Sequence, residues 1–125
     1  MGSSRGRSLL KLVFVLRHVT ALTAPPLMVL AIAMMISGYA LAAPRVTREF
    51  FGIGYGEGVL VHSAPIIRCG FTVLALLHGW AGTLTLVLPR LVKAGRVMLA
   101  YFSLSAISAV MLYVLLPLLL IELTK

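Results

Sequence analysis

The chain has 125 residues, of which 61% are hydrophobic and 11% charged, and a formal net charge of +8. Soluble domains carry about a quarter charged residues, so this composition excludes an ordinary water-soluble catalytic domain. The basic balance invites a nucleic-acid reading, but the short charged segments offer no folded basic surface for one, and no nucleic-acid partner is expected.

In chain order, the first element is a basic segment, residues 1–17. Arg5, Arg7, Lys11 and Arg17 alternate there with Leu9, Leu10, Leu12, Val13 and Leu16. Such a segment either lies at the membrane interface or extends the first span downward with its cations snorkelling. Three apolar runs follow, at residues 19–43, 69–88 and 97–121, each about the 20 residues needed to cross the hydrocarbon as a helix. The expected fold is therefore an all-α membrane protein, with residues 18–125 forming a three-helix transmembrane domain. The first run is longer than the 7–15 residues of a secretory signal core, so it is expected to be retained as span one. Pro25-Pro26 interrupts it, and the missing amide donor predicts a kink. Ser37-Gly38, near its outer end, suits close helix packing.

Between spans one and two, Phe51-Gly52-Ile53-Gly54-Tyr55-Gly56-Glu57-Gly58 spaces its glycines unlike either a dinucleotide fingerprint or a phosphate loop. This segment is expected to be a flexible connector, with Phe50, Phe51 and Tyr55 at the outer interface. Helix two can begin before Cys69, because residues 59–67 are mostly apolar. Cys69 is the single cysteine, which rules out an intrachain disulfide and covalent haem attachment through paired cysteines. Helix three carries small residues at Ser103, Ser105, Ala106, Ser108 and Ala109, a face suited to close packing.

Charge sets the expected orientation. Basic residues crowd the N-terminal segment and the second loop (Arg90, Lys93, Arg96). In the first loop Arg45 and Arg48 are offset by Glu49 and Glu57, and only Glu122 and Lys125 follow span three. The positive-inside rule then puts the N-terminus in the cytoplasm and the C-terminus outside, in a multi-pass protein of the inner membrane.

His78 is the residue that points to chemistry. It lies about 16 Å of helix from Pro89, close to mid-membrane, in a run with no other ionisable side chain but Cys69. An imidazole at that depth needs a hydrogen bond on one nitrogen and a partner on the other. Three partners are open to it: haem iron, a neighbouring side chain or carbonyl, and a quinone. Leu74, Ala75, Ala81, Gly82 and Thr85 are expected on its helical face, with Ala75, Ala81 and Gly82 small enough for a flat ring to lie against. Trp80 is expected to point elsewhere. His18 sits beside Arg17 at the start of span one, where it reaches a haem only if the helix begins near Leu9, and otherwise meets a propionate or a quinone. Arg17, Arg90 and Arg96 are candidate propionate partners, because guanidinium grips carboxylate in a rigid fork. His62 is turned about 160° from His78 and is expected near the outer surface.

His78-Gly79-Trp80-Ala81-Gly82, the basic stretch Arg90-Leu91-Val92-Lys93-Ala94-Gly95-Arg96 and the opening Leu16-Arg17-His18-Val19-Thr20 together resemble the small membrane-anchor, or cytochrome b, subunits of succinate dehydrogenase and fumarate reductase. The similarity runs over about residues 16–120. It implies a respiratory electron-transport anchor binding haem b through His78 as metal ligand, with His18, Arg17, Arg90 and Gly82 around the cofactor. It also implies a flavoprotein subunit, an iron–sulfur subunit and a second membrane anchor as partners, with quinone and the lipid bilayer. Where the family usually has Asp-Tyr after the haem helix, this chain has Pro89-Arg90, so quinone contact there passes to the companion anchor or to Arg17 and His18. The Arg17-His18 start and Ser37-Gly38 also look like cytochrome b subunits of membrane formate dehydrogenases and hydrogenases. A non-redox assembly or transport subunit is the alternative from outside electron transfer.

Overall fold

The computed structural model of the protein describes residues 4–124, without the side chains of Ser4, Arg5, Glu122 and Leu123. The charge readings on Arg5, Glu122 and Lys125 therefore lie outside the described residues. Five helices follow one another: α1 (Ser4–Ala42), α2 (Pro44–Phe51), α3 (Tyr55–Ser63), α4 (Pro65–Lys93) and α5 (Val97–Leu123), with no strand among the described residues. Three of them are long and apolar enough to cross a membrane, over Gly6–Ala42, Pro65–Lys93 and Val97–Ile121.

The helix boundaries follow from local chemistry. α1 starts at Ser4, so the basic segment continues span one as helix, with no break at residue 17. Pro25 and Pro26 lie inside α1; having no amide hydrogen, they leave the carbonyls of Ala21 and Leu22 without their usual helical donors. α4 extends beyond the apolar run 69–88 at both ends, because Pro65 is well placed to open a helix and Ala64 ahead of it is held in an extended conformation (ψ 120°). Its far end closes in a Schellman turn: Arg96 N–H donates to Leu91 O at 2.9 Å and Gly95 N–H to Val92 O at 3.1 Å. Gly95 takes φ +73° there, the left-handed conformation that a side chain resists. The basic loop is thus shorter than the sequence suggests, since Arg90 and Lys93 belong to α4.

The glycine-rich connector is a correction. Residues 44–63 form two short helices, not a flexible loop. Pro44 opens α2, and Gly52 at φ +70° closes it with its N–H on Arg48 O at 3.0 Å. Gly54 then precedes α3, where its N–H donates to Glu57 Oε2 at 3.0 Å. Those two hydrogen-bonding positions, with Pro44, supply the starts and stops that make helices from a segment otherwise rich in breakers.

The chain divides into two compact units. One comprises Met1–Ala24 with Ala75–Lys125, the other Pro25–Leu74. In the first, Leu9, Val13 and Leu16 of α1 meet Ala81, Leu84 and Leu88 of α4 and Ala100 of α5 in one buried cluster. These positions recur at three- and four-residue intervals, so each helix contributes one stripe. Trp80 joins the edge of that cluster and donates from Nε1 to Ser108 Oγ at 3.0 Å. It is therefore held within the chain.

In the second unit, α3 lies against the latter part of α1. A Cβ at Gly58 would come within 2.6 Å of Ala40 Cβ and 3.2 Å of Ser37 O, so only glycine allows this approach. Beside it Ser37 Oγ and His62 Nδ1 share a hydrogen bond of 3.1 Å, with the His62 ring over Gly38 at 3.7 Å from where a Cβ would stand.

Candidate functional site: an imidazole facing an apolar cavity

A cavity of about 460 Å³ opens in the first unit, lined by Arg17, Thr20, Ala21 and Ala24 of α1 and His78, Gly82, Thr85 and Leu86 of α4. The α1 residues fall at intervals of three and four, as do those of α4, so one face of each helix forms a wall. His78 is half-buried on it.

What fixes the imidazole is Thr23. Its hydroxyl lies 3.1 Å from His78 Nδ1, 2.8 Å from Val19 O and 3.3 Å from Thr20 O. A threonine has one hydroxyl hydrogen, and the Val19 carbonyl is its nearest acceptor. The oxygen then accepts from Nδ1–H of His78, and in the neutral ring this hydrogen bond puts the free lone pair on Nε2. This is the tautomer that a metal-binding histidine adopts when its other nitrogen is held by a hydrogen bond.

The rest of the wall offers little competing polarity. Thr20 Oγ1 donates to Leu16 O at 2.9 Å, and Thr85 Oγ1 donates to Ala81 O, so both hydroxyl hydrogens return to their own helices. A Cβ at Gly82 would meet nothing within 4 Å, so the cavity stays open beside the histidine. Arg17 places a guanidinium stem at the end of the cavity that lies toward the basic loop. The arrangement provides one imidazole nitrogen donor, an apolar slot and one cation. Among the described residues there is no group of three or more His, Cys, Asp or Glu side chains able to hold a metal ion. A single imidazole suits a metal that brings its equatorial ligands with it, as in a porphyrin.

Of the residues singled out from the sequence, His78, Gly82 and Arg17 come together at this cavity. His18 does not line it: its Nδ1 lies 2.9 Å from Phe14 O and its ring packs on Phe14 at a centroid distance of 4.5 Å. One residue further along a helix turns a side chain by about 100°, which is why Arg17 faces the cavity and His18 does not. Arg90, in the last turn of α4, also lies off the lining. Two of the expected flanking residues go elsewhere. Ala81 is fully buried in the helix cluster, and Ala75 lines a separate cavity of about 200 Å³ with Gly79, Trp80 and Thr83. Both sit about 60° from His78 around α4, far enough for the neighbouring helix to claim one and the opposite groove the other. Thr23 was not anticipated; its only sequence signal is a hydroxyl spaced one turn from Thr20 within an apolar run.

Outside the three long apolar helices, Glu57 has its carboxyl held below the usual carboxylate range. The causes are backbone N–H donors, from its own amide first and then Gly54, with the Arg48 charge adding a smaller effect against partial desolvation. Arg48 stands 3.9 Å away with both side chains more than half exposed, so that ion pair is weak. No protein-family model, curated protein or solved structure matches this chain.

Proposed function

We propose that the chain is a membrane-anchor and electron-transfer subunit of a succinate dehydrogenase or fumarate reductase, contributing a b-haem ligand and part of a quinone site. The observation that carries this reading is the Thr23–His78 hydrogen bond of 3.1 Å, which engages Nδ1 of an imidazole that lines an apolar slot. Haem b bound there would supply a one-electron relay whose potential is set by axial ligation and burial. His78 would hold the iron through its second ring nitrogen, Thr23 would fix the imidazole plane, Gly82 would leave room for a flat ligand, and Arg17 would offer a cation to a propionate. Any second protein ligand would come from the companion anchor, because His18 lies off the cavity. Flavoprotein and iron–sulfur partners carry the dicarboxylate chemistry on the basic, cytoplasmic side, with the C-terminus of this inner-membrane subunit outside.

Reduced-minus-oxidised spectra of the complex, expressed with its partners, test the assignment. Wild type should show a b-type band, and His78→Ala should lose it while the subunits still co-purify. A band that survives the substitution, or no pigment in the assembled wild-type complex, would overturn the haem role. Reporter fusions at the two termini should read opposite sides of the membrane, with the N-terminus inside.

Pro89-Arg90 in place of Asp-Tyr favours a second reading, a small b-type cytochrome subunit of the formate dehydrogenase or hydrogenase kind. Co-purification separates the two: succinate-reducible haem accompanies the first, formate- or hydrogen-reducible haem the second. A colourless homo-oligomer would instead support a non-redox assembly or transport subunit.

A further inference from the structure

A second cavity in the first unit has a different chemistry. It measures about 280 Å³ and is lined by Leu10, Val13, Phe14 and Arg17 of α1 with Pro89 and Lys93 of α4. Its walls are aliphatic and aromatic, whereas its only charged groups are two cations, one from each helix. Leu10, Phe14 and Arg17 stand on one face of α1, and Pro89 and Lys93 are one turn apart on α4. Phe14 is 65% exposed, so the apolar wall is open to whatever surrounds the helices.

Among the described residues, neither Arg17 nor Lys93 takes part in a salt bridge. The chain has three acidic residues, Glu49, Glu57 and Glu122, against eleven lysines and arginines. Of the acidic residues, Glu57 stands 3.9 Å from Arg48. Two cations lining an otherwise apolar slot, on helices long enough to cross a membrane, match a molecule with an anionic head and a hydrocarbon tail. An isolated phosphate would leave the slot unfilled, and a neutral lipid would leave the cations unmatched.

We infer that this cavity seats one anionic phospholipid, its phosphate between Arg17 and Lys93 and an acyl chain along Leu10, Phe14 and Pro89. The lipid would neutralise the basic end of α1 and α4, where repulsion between like charges otherwise opposes close packing. Arg17 also lines the His78 cavity, so the decisive substitution is placed on Lys93, and the result stands apart from the haem reading.

The test is native mass spectrometry of the full-length protein released from nanodiscs containing equal amounts of phosphatidylglycerol and phosphatidylcholine. Wild type should retain one phosphatidylglycerol in preference to phosphatidylcholine. A lysine near an anionic membrane surface contributes enough for Lys93→Gln to weaken that preference about five-fold, and Lys93→Glu should abolish it. Lys11→Gln removes an exposed cation that does not line the cavity and should leave the preference intact. Equal retention of both lipids by wild type would overturn the inference. So would equal losses for Lys11→Gln and Lys93→Gln, which indicate diffuse attraction with no seat, or stripping of the bound lipid by millimolar inorganic phosphate.

Discussion

The hydroxyl of Thr23 bears on what His78 can do, because a hydroxyl that donates to Val19 O accepts from the ring at Nδ1. Thr23→Val keeps the shape and removes the acceptor, so the imidazole is free to rotate and change tautomer. Loss of such a supporting hydrogen bond typically weakens metal binding about 10–100-fold. If His78 holds haem as proposed, haem titration of the variant should show a loss in that range, with Thr23→Ser restoring most of it; unchanged affinity would remove Thr23 from the site. His78 itself was legible from sequence, since an ionisable group deep in an apolar run demands a partner. Thr23 was not, because it is 55 residues away and threonines in such helices commonly bond their own backbone. Glu57 carries a separate, pH-dependent expectation. Its carboxyl is held below the ordinary range, so the cap on α3 is fully formed above the unfolded-state pKa and is lost as pH falls through the lower folded-state value. A carboxyl-detected NMR titration should give a midpoint below that of a free glutamate; one at or above it would mean the Gly54 hydrogen bond is not made.

At the scale of elements, glycine placement does the work that the alternating pattern concealed. Gly52, Gly54 and Gly58 read as flexibility in one dimension. In three dimensions they end one helix, begin the next and let α3 approach α1. Gly58→Ala should be disruptive, because the added carbon would stand 2.6 Å from Ala40 Cβ. Overpacking of this kind costs about 1–3 kcal/mol, readable as a lower melting temperature in detergent with α3 amides exchanging faster. Gly52→Ala, where nothing lies within 4 Å but φ is +70°, should cost only the left-handed backbone, about 1 kcal/mol. If the two variants lose equal stability, the close approach is not real. The three long helices were readable from apolar length alone, but their ends were not. Proline at a helix start and a Schellman glycine at its end extend α4 past the apolar run on both sides.

Across the molecule, burial is scarce and uneven. Leu84 and Leu88 are fully buried, while Leu22, Met98, Phe102 and Tyr113 are each at least 70% exposed. Surfaces this apolar are not tolerated in water, so lipid or partner helices must cover them. Leu84→Ala should therefore cost about 2–5 kcal/mol through the cavity it leaves, whereas Leu22→Ala should change monomer stability little and act only on assembly. Thermal unfolding of both variants in the same detergent distinguishes packed positions from covered ones; equal losses would deny the buried cluster its role. Helix count, membrane-crossing length and the chemical interest of His78 were all present in the order of residues, because hydrophobic length and an isolated ionisable group are local properties. The partner of Nδ1, the turning of His18 away from the cavity, and the assignment of Ala75 and Ala81 to other surfaces required the folded chain. Those depend on the rotation of each helix about its own axis, which is set by packing against its neighbours and leaves only a faint trace in any one segment.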